Sequence, residues 1–466
     1  MKFHTFLFIF ATAGLVACST AASAQTDQAS ESNYAITGVT IIDVEKGIAV
    51  PAQTVLLVGD RIDKIGADKK VKVPRGTQIL DGQGLYLMPG LVDAHVHYFD
   101  APVFGRLMLA NGVLLVRDTG MPNDFILPLR DELNRGAALG PEMVTTGTIL
   151  DGVPPIIPSI SVGVQTPEEG RAMVRRQAEA GVDMIKTYSR LDREVFLAIV
   201  DEARKYNLKV VTHLPETVYL EDAVAAGLAE SEHFNGFEKV IARLLGEPVE
   251  LTFKGQAFAA GYFARLGEVD PQQLQAVYQR IQASGMTICP TVVTFKTLIN
   301  IKAILSGSVP ASEYISPGVL DTWKSMWAQQ DDLPDFIWQN WMQMVVGLHS
   351  AGVPLMTGTD LMLPGIIPGV SVHEEMEIWQ EAGIPPADVL RSASLVPVRF
   401  MGLEARLGNI SEGKSASFVL LQANPLEDVR NTRQIEGVFL RGKYYNRQDL
   451  DQMLAEAKDL ARQTIP

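Results

Sequence analysis

The sequence predicts an α/β fold in which a (β/α)8 barrel is inserted into a small β-sandwich domain built by both chain ends. Three observations predict it. Strand-rich stretches with tight-turn signals stand near both ends. Between them, strand and helix patterns alternate eight times over about 300 residues. The chemically reactive side chains of that middle part fall at C-terminal strand ends, which a barrel gathers at one mouth.

The elements follow in order. Lys2 precedes an apolar run at 6–17, too short to span a bilayer and suited to an export signal. Two cleavage sites fit. Ala22-Ser23-Ala24 would end a signal peptide at 1–24, whereas Leu15-Val16-Ala17-Cys18 matches a lipoprotein box that would end it at 17 and put a lipid on Cys18. Either way the chain is expected to be exported, into the periplasm or as an outer-membrane-anchored lipoprotein. That anchor is the only membrane contact expected, since no other segment reaches 18 consecutive apolar residues.

Short strands are expected at 35–42, 54–58, 61–65, 78–81 and 86–88, with a hairpin turn at Gly59-Asp60. Similar ones recur at 417–421, 435–440 and 443–445, with a turn at Arg441-Gly442. These define a composite β-domain of 34–88 and 408–446 around a barrel at 89–407, followed by a C-terminal helix at 447–466. Barrel strands are expected at 91–97, 113–119, 143–149, 184–188, 210–213, 230–234, 287–294 and 355–359. Helical patterns such as 166–180, 193–206 and 220–226 lie between them. Two long connections, 235–282 and 295–349, have the length of lids or binding elements, with inserted helices as the plainer reading and one or two tryptophans expected to line a pocket. The second carries Trp323, Trp327, Trp338 and Trp341, expected mainly as the core of those helices.

Composition narrows the function. Forty basic against 54 acidic residues give a net charge of −14, and no Lys/Arg run interrupts it, so a nucleic-acid partner is excluded. Two cysteines, Cys18 and Cys289, exclude a disulfide scaffold. A homo-oligomer is compatible with the pattern, which shows no interface.

His95 and His97 are two apart on a strand and therefore point to one side. His213, His233, Lys186 and Asp360 also stand at strand ends, so six residues close five of the eight barrel strands. Four imidazoles and a carboxylate at one mouth are a metal set. Lys186 is the odd member, because an ammonium repels a cation. It fits if burial strips its proton and it is then modified, or if it is a structural lysine paired with a carboxylate. Tyr188 and Arg190 follow it at the mouth, where they are candidates for a substrate carboxylate. His373 opens a helix and either faces substrate, backs the ligands or merely starts the helix; His349 reads as structural.

These residues lie within longer motifs. Leu87-Met88-Pro89-Gly90-Leu91-Val92-Asp93-Ala94-His95-Val96-His97 resembles the metal-binding signature of the amidohydrolase superfamily. Val116-Arg117-Asp118-Thr119-Gly120, Met184-Ile185-Lys186, Val211-Thr212-His213, Ser231-Glu232-His233 and Gly358-Thr359-Asp360 resemble its later strands, and Leu407-Gly408-Asn409-Ile410 its return to the β-domain. The resemblance covers 34–446 and points to the imidazolonepropionase-like, prolidase-like branch, related to Xaa-Pro dipeptidases. It implies a TIM barrel and two divalent ions, usually zinc. His95, His97 and Asp360 would hold one ion and His213 and His233 the other, with Lys186, carboxylated on Nζ by CO2, bridging them. The implied activity is cleavage of an amide bond in a small dipeptide or N-acyl amino acid by metal-bound hydroxide, with Asp360 moving the proton. The substrate is thus a small molecule or peptide. A cyclic-amide, lactone or phosphotriester hydrolase, or a non-catalytic barrel binding protein, remain alternatives. Pro215 stands where the branch often has a tyrosine, which weakens the expectation of a strict Xaa-Pro preference.

Overall fold

A computed structural model describes residues 33–252, 256–306, 311–328, 330–361 and 363–463. The expected leader at 1–24, with Cys18, lies outside the described residues. The chain opens with β1 (Tyr34–Asp43), β2 (Ile48–Val58), β3 (Arg61–Ala67), β4 (Gln78–Asp81) and β5 (Tyr86–Pro89). The middle carries β6 (Leu91–Val96), β7 (Val113–Asp118), β8 (Glu142–Thr145), β9 (Ile149–Asp151), β10 (Ser161–Gly163), β11 (Met184–Thr187), β12 (Lys209–Thr212), β13 (Glu230–Glu232) and β14 (Thr287–Cys289). Then come β15 (Phe418–Leu421), β16 (Ile435–Leu440), β17 (Lys443–Asn446) and the helix Arg447–Gln463.

One sheet draws on both ends of the chain, in the order β17-β16-β15-β5-β1-β2-β3, with β4 beside β1. β15 runs antiparallel to β5, pairing Phe418 with Pro89 and Leu421 with Tyr86. Its core gathers Ile36, Val55 and Leu87 from one end with Phe418 and Phe439 from the other. The turn Arg441-Gly442 has φ of 50° and 79° and joins the Leu440–Lys443 pair, the geometry a two-residue hairpin needs. β2 begins at Ile48, six residues before the strand expected at 54. A register shift opposite it and the left-handed Ala52 (φ 53°) let Pro51 sit within the strand.

The middle forms two parallel sheets, β6-β7-β8 and β10-β9-β11-β12-β13-β14. The Asp183 N–H donates to Thr145 O (2.9 Å) between them. On the far side, Met356 N–H donates to Ile288 O (3.0 Å) and Asp360 N–H to His95 O (2.9 Å). The expected last strand, 355–359, is therefore two isolated bridges, at Leu355 and Leu361, rather than a ladder. Ala94, Met184, Val211, Cys289 and Met356 form one buried cluster with Phe400, so strands of both sheets share an apolar interior.

Three expected strands end early, each at a left-handed residue. The stretch 143–149 is divided at Gly147 (φ 62°) into β8 and β9. A side chain at Gly147 would strike Asn123 Oδ1, which instead accepts the Thr148 N–H (2.8 Å). The stretch 287–294 stops at Cys289, because Pro290 lacks a donor and Thr291 has φ 48°. The helix Val292–Leu298 follows, its Val292 and Val293 N–H groups accepted by buried Glu375 at 3.1 and 2.7 Å. The stretch 230–234 stops at Glu232, before His233 (φ 52°) and Phe234 (φ 58°).

The helix Pro167–Ala180 starts with a capping box between Thr166 and Glu169 and stops at left-handed Gly181. The long connections fold as helices, including Pro271–Ser284, Pro317–Trp327 and Asp335–Ser350. Trp323, Trp327 and Trp341 are buried, and Phe295 stacks on Trp341 at 4.2 Å. Among the described residues, no helix is long and apolar enough to cross a membrane.

Candidate metal centre

His95 lies on β6, and His97 directly after it. The alternation of the strand turns both inward, with ring centroids 5.6 Å apart. Lys186 is buried on β11 and His213 follows β12. His233 follows β13, and its backbone matters. In an extended strand Glu232 and His233 would face opposite sides. The left-handed φ at His233 breaks that alternation, and both side chains reach the same site. Asp360 has φ 52° as well. Such non-glycine conformations cost on the order of 1 kcal/mol or more each, and they concentrate at functional sites.

The ligand atoms of His95, His233 and Asp360 all lie within 4.8 Å of one another, as do those of His213, Glu232 and His233. His95 Nε2 is 3.3 Å and His97 Nε2 3.6 Å from Asp360 Oδ1, and His233 Nε2 is 3.7 Å from Asp360 Oδ2. The centroids of His213 and His233 are 4.5 Å apart. The ring orientations are set from behind. His97 Nδ1 is 2.9 Å from Gly120 O, and His233 Nδ1 is 2.5 Å from Thr291 Oγ1. Each contact leaves Nε2 directed into the site, the arrangement a ligating imidazole requires.

Electrostatics point the same way. Burial holds the imidazoles of His95 and His213 well below their ordinary value and takes His233 down to about 4, Asp360 opposing the shift in each case. All three are neutral near pH 7, the form that donates a lone pair to a cation. Burial alone would raise Asp360, but His95, His233 and His97 hold its carboxyl well below the usual range. Lys186 is drawn down to about 7 by burial, against the attraction of Glu230. His95 Nε2 and His233 Nε2 are buried without a hydrogen bond, and both face the Asp360 carboxylate. Unsatisfied neutral nitrogens this close to a carboxylate fit a divalent cation.

A pattern that defines the amidohydrolase family matches residues 86–444, through every strand that bears these side chains. The chain belongs to the amidohydrolase family. An ochratoxinase from Aspergillus niger is 22% identical over 339 residues, a match that takes in 71% of this chain and 58% of that protein's length. A solved bottromycin amidohydrolase aligns with a TM-score of 0.73 at 21% identity, covering 92% of this chain and 90% of that one. A Xaa-Pro dipeptidase with bound methionine in the active site aligns at 0.64 and 17% identity, covering 89% and 100%. At these identities the structural likeness is one of fold.

The remaining expected site residues of this amidohydrolase are placed as follows. Lys186 Nζ forms an ion pair with Glu232 Oε2. The Tyr188 ring stacks on His213 at 4.2 Å, and so meets the cluster through a ligand candidate. Arg190 braces the loop after β9. Its Nη1 donates to Pro154 O (2.8 Å) and its N–H to Asp151 Oδ1 (2.9 Å). His373 does not join the cluster. It is 1% exposed within the helix Val370–Glu381, with Nδ1 2.8 Å from Thr432 Oγ1 and Nε2 2.9 Å from Asn111 O. Both nitrogens are thus committed to structural partners. His349 contacts Asp388 at 3.2 Å, away from the site. Sequence reasoning missed Glu232 and its partner Arg117 as site components. For Arg117 the available signal was a charged residue in the largely apolar strand Val113–Asp118; for Glu232 it was a pair of acidic residues two apart in a strand between apolar neighbours of the barrel region.

His373 gives a measurable acid dependence. Burial, assisted by Arg433, depresses its pKa to about 3, whereas the unfolded chain titrates near about 6.5. The folded state refuses the proton that the unfolded state takes up. Its contribution is therefore complete above about pH 6.5 and is lost as pH falls toward 3, by about 2 kcal/mol at pH 5. Urea midpoints from pH 7 to 5 should fall less steeply in His373→Gln than in the parent. Parallel slopes would show that His373 is not held neutral.

Proposed function

We propose that this chain is a binuclear metal-dependent hydrolase that cleaves the amide bond of a small dipeptide or N-acyl amino acid. The observation that carries it is the convergence of His95, His97, His213, His233, Lys186 and Asp360 on one site with neutral imidazoles facing a carboxylate. In the same reading the two parallel sheets and the segment 355–361 make one (β/α)8 barrel, and the cluster lies at its C-terminal mouth. The domain limits expected from sequence belong to this reading, as does export by the leader, with lipidation at Cys18 as its variant.

His95, His97 and Asp360 would hold one divalent ion and His213 and His233 the second, with Lys186 in its carboxylated form or Glu232 supplying a further anionic oxygen, and zinc is the first candidate for this nitrogen-rich set. When bound, the ions supply a lowered pKa for water and polarisation of the substrate carbonyl. A lysine near its neutral form is also the form that a CO2-derived carbamate requires. Asp360 accepts the proton released as water attacks the carbonyl carbon, then delivers it to the amide nitrogen as the C–N bond breaks. An amide nitrogen leaves poorly unless protonated, so this second transfer matters most. The π-face of Tyr188 limits rotation of His213 and walls one side of the mouth. The fold shared with a Xaa-Pro dipeptidase and a bottromycin amidohydrolase supports an amide substrate.

The test is a hydrolysis panel of dipeptides and N-acyl amino acids, with lactone and phosphotriester wells, using zinc-loaded protein. Turnover confined to amides is expected. Turnover of esters or phosphotriesters alone would overturn the substrate class and leave the centre standing. Purified protein that holds no stoichiometric metal and gains nothing from added metal would favour the non-catalytic binding alternative.

A further inference from the structure

We infer that Arg117 is a positioning residue for the metal centre, tying the strands that bear its ligands together through one guanidinium. Arg117 lies on β7, which supplies no ligand candidate, and is fully buried. Its Nε donates to Ala94 O at 2.5 Å, the carbonyl immediately before His95. Its Nη2 lies 3.3 Å from both Glu230 Oε1 and Glu232 Oε1 on β13. Phe400 covers the guanidinium, with the ring centroid 5.4 Å from Cζ.

Glu232 passes the constraint on. Its Oε1 is 3.2 Å from His95 Nδ1, and its Oε2 pairs with Lys186 and lies 4.0 Å from His213 Nε2. The guanidinium therefore touches β6 and β13 directly and reaches β11 and the end of β12 through one carboxylate. Glu230 and Glu232 are two apart on β13 and share a side, so without a cation between them two buried carboxylates would repel. Arginine suits this place because its planar fork offers several fixed donors along one edge, whereas lysine offers a point charge. If the fork is lost, Glu232 loses its place against His95 Nδ1, and with it goes the orientation of His95 Nε2 toward Asp360. Partners that orient ligands in this way typically account for about 10–100-fold in metal affinity.

The inference rests on the metal-centre reading, and one experiment separates the two. The purified full chain is stripped with a chelator and titrated with Co2+, following its visible absorption, beside far-UV circular dichroism. Arg117→Lys and Arg117→Met should keep the parent dichroism, bind Co2+ about 10–100-fold more weakly, and show an altered visible spectrum. The double variant Arg117→Met/Glu230→Gln removes one buried charge of each sign and so guards against misfolding; it should bind Co2+ as weakly as Arg117→Met. Parent-like affinity and spectrum in the double variant would mean that Arg117 only balances charge, and would overturn the inference. A parent chain that takes up no Co2+ would overturn the metal-centre reading itself.

Discussion

Asp360→Asn is expected to lower kcat/KM by about a thousandfold or more while leaving the fold intact. The amide has nearly the shape of the carboxyl, so the backbone at φ 52° and the contact of its N–H with His95 O can persist. What goes is charge and proton capacity. His95, His97 and His233 all lean on this carboxylate, at 3.3, 3.6 and 3.7 Å. Proton transfer by a placed side chain is worth about 100- to 10,000-fold on its own, and a weakened ion site adds to that. The readout is steady-state turnover of the best substrate from the panel at saturating zinc, with circular dichroism as the fold control. A variant with more than about a tenth of parental turnover would remove Asp360 from the proton transfers.

The second large effect is expected at Lys186. Lys186→Ala should lower metal content from two ions per chain to one or fewer, measured by elemental analysis after dialysis. Addition of short carboxylic acids should restore part of the content and part of the turnover, since they can place an anionic oxygen where the lysine ended. The ion pair with Glu232 sharpens the reading. If Lys186 serves only to neutralise Glu232, the alanine variant frees that carboxylate to face the ions, and metal content should hold or rise. Retained metal would thus assign Lys186 a structural role and hand its place to Glu232, whose Oε2 already stands with His213 and His233.

Most ligand candidates were legible because strand ends are legible. An apolar run followed by His or Asp needs only local information to place. The stops were harder. Gly147 and the Pro290-Thr291 pair end strands that hydrophobicity alone would continue, and the left-handed φ of Thr291 has no strong sequence signal. That stop has a function, since it brings Thr291 Oγ1 under His233. The Arg117 network was illegible for another reason: its contacts join residues 113 and 115 positions apart. His373 shows the same limit. A histidine near a helix start looks exposed to substrate until its partners, 59 and 262 positions away, are known.

The sheet shared by the chain ends has a consequence for the order in which the molecule can form. β5 meets β1 on one side and β15 on the other, so its second edge stays open until residues 418–421 exist. An open, apolar strand edge is a template for pairing with another chain. A ribosome that has finished the middle segment has therefore made a chain with its candidate ligands synthesised and its first sheet incomplete. Contacts spanning more than 300 positions form late and slowly. Chains cut short anywhere before β15 should accumulate as aggregates rather than as soluble fragments, however intact their candidate metal ligands are.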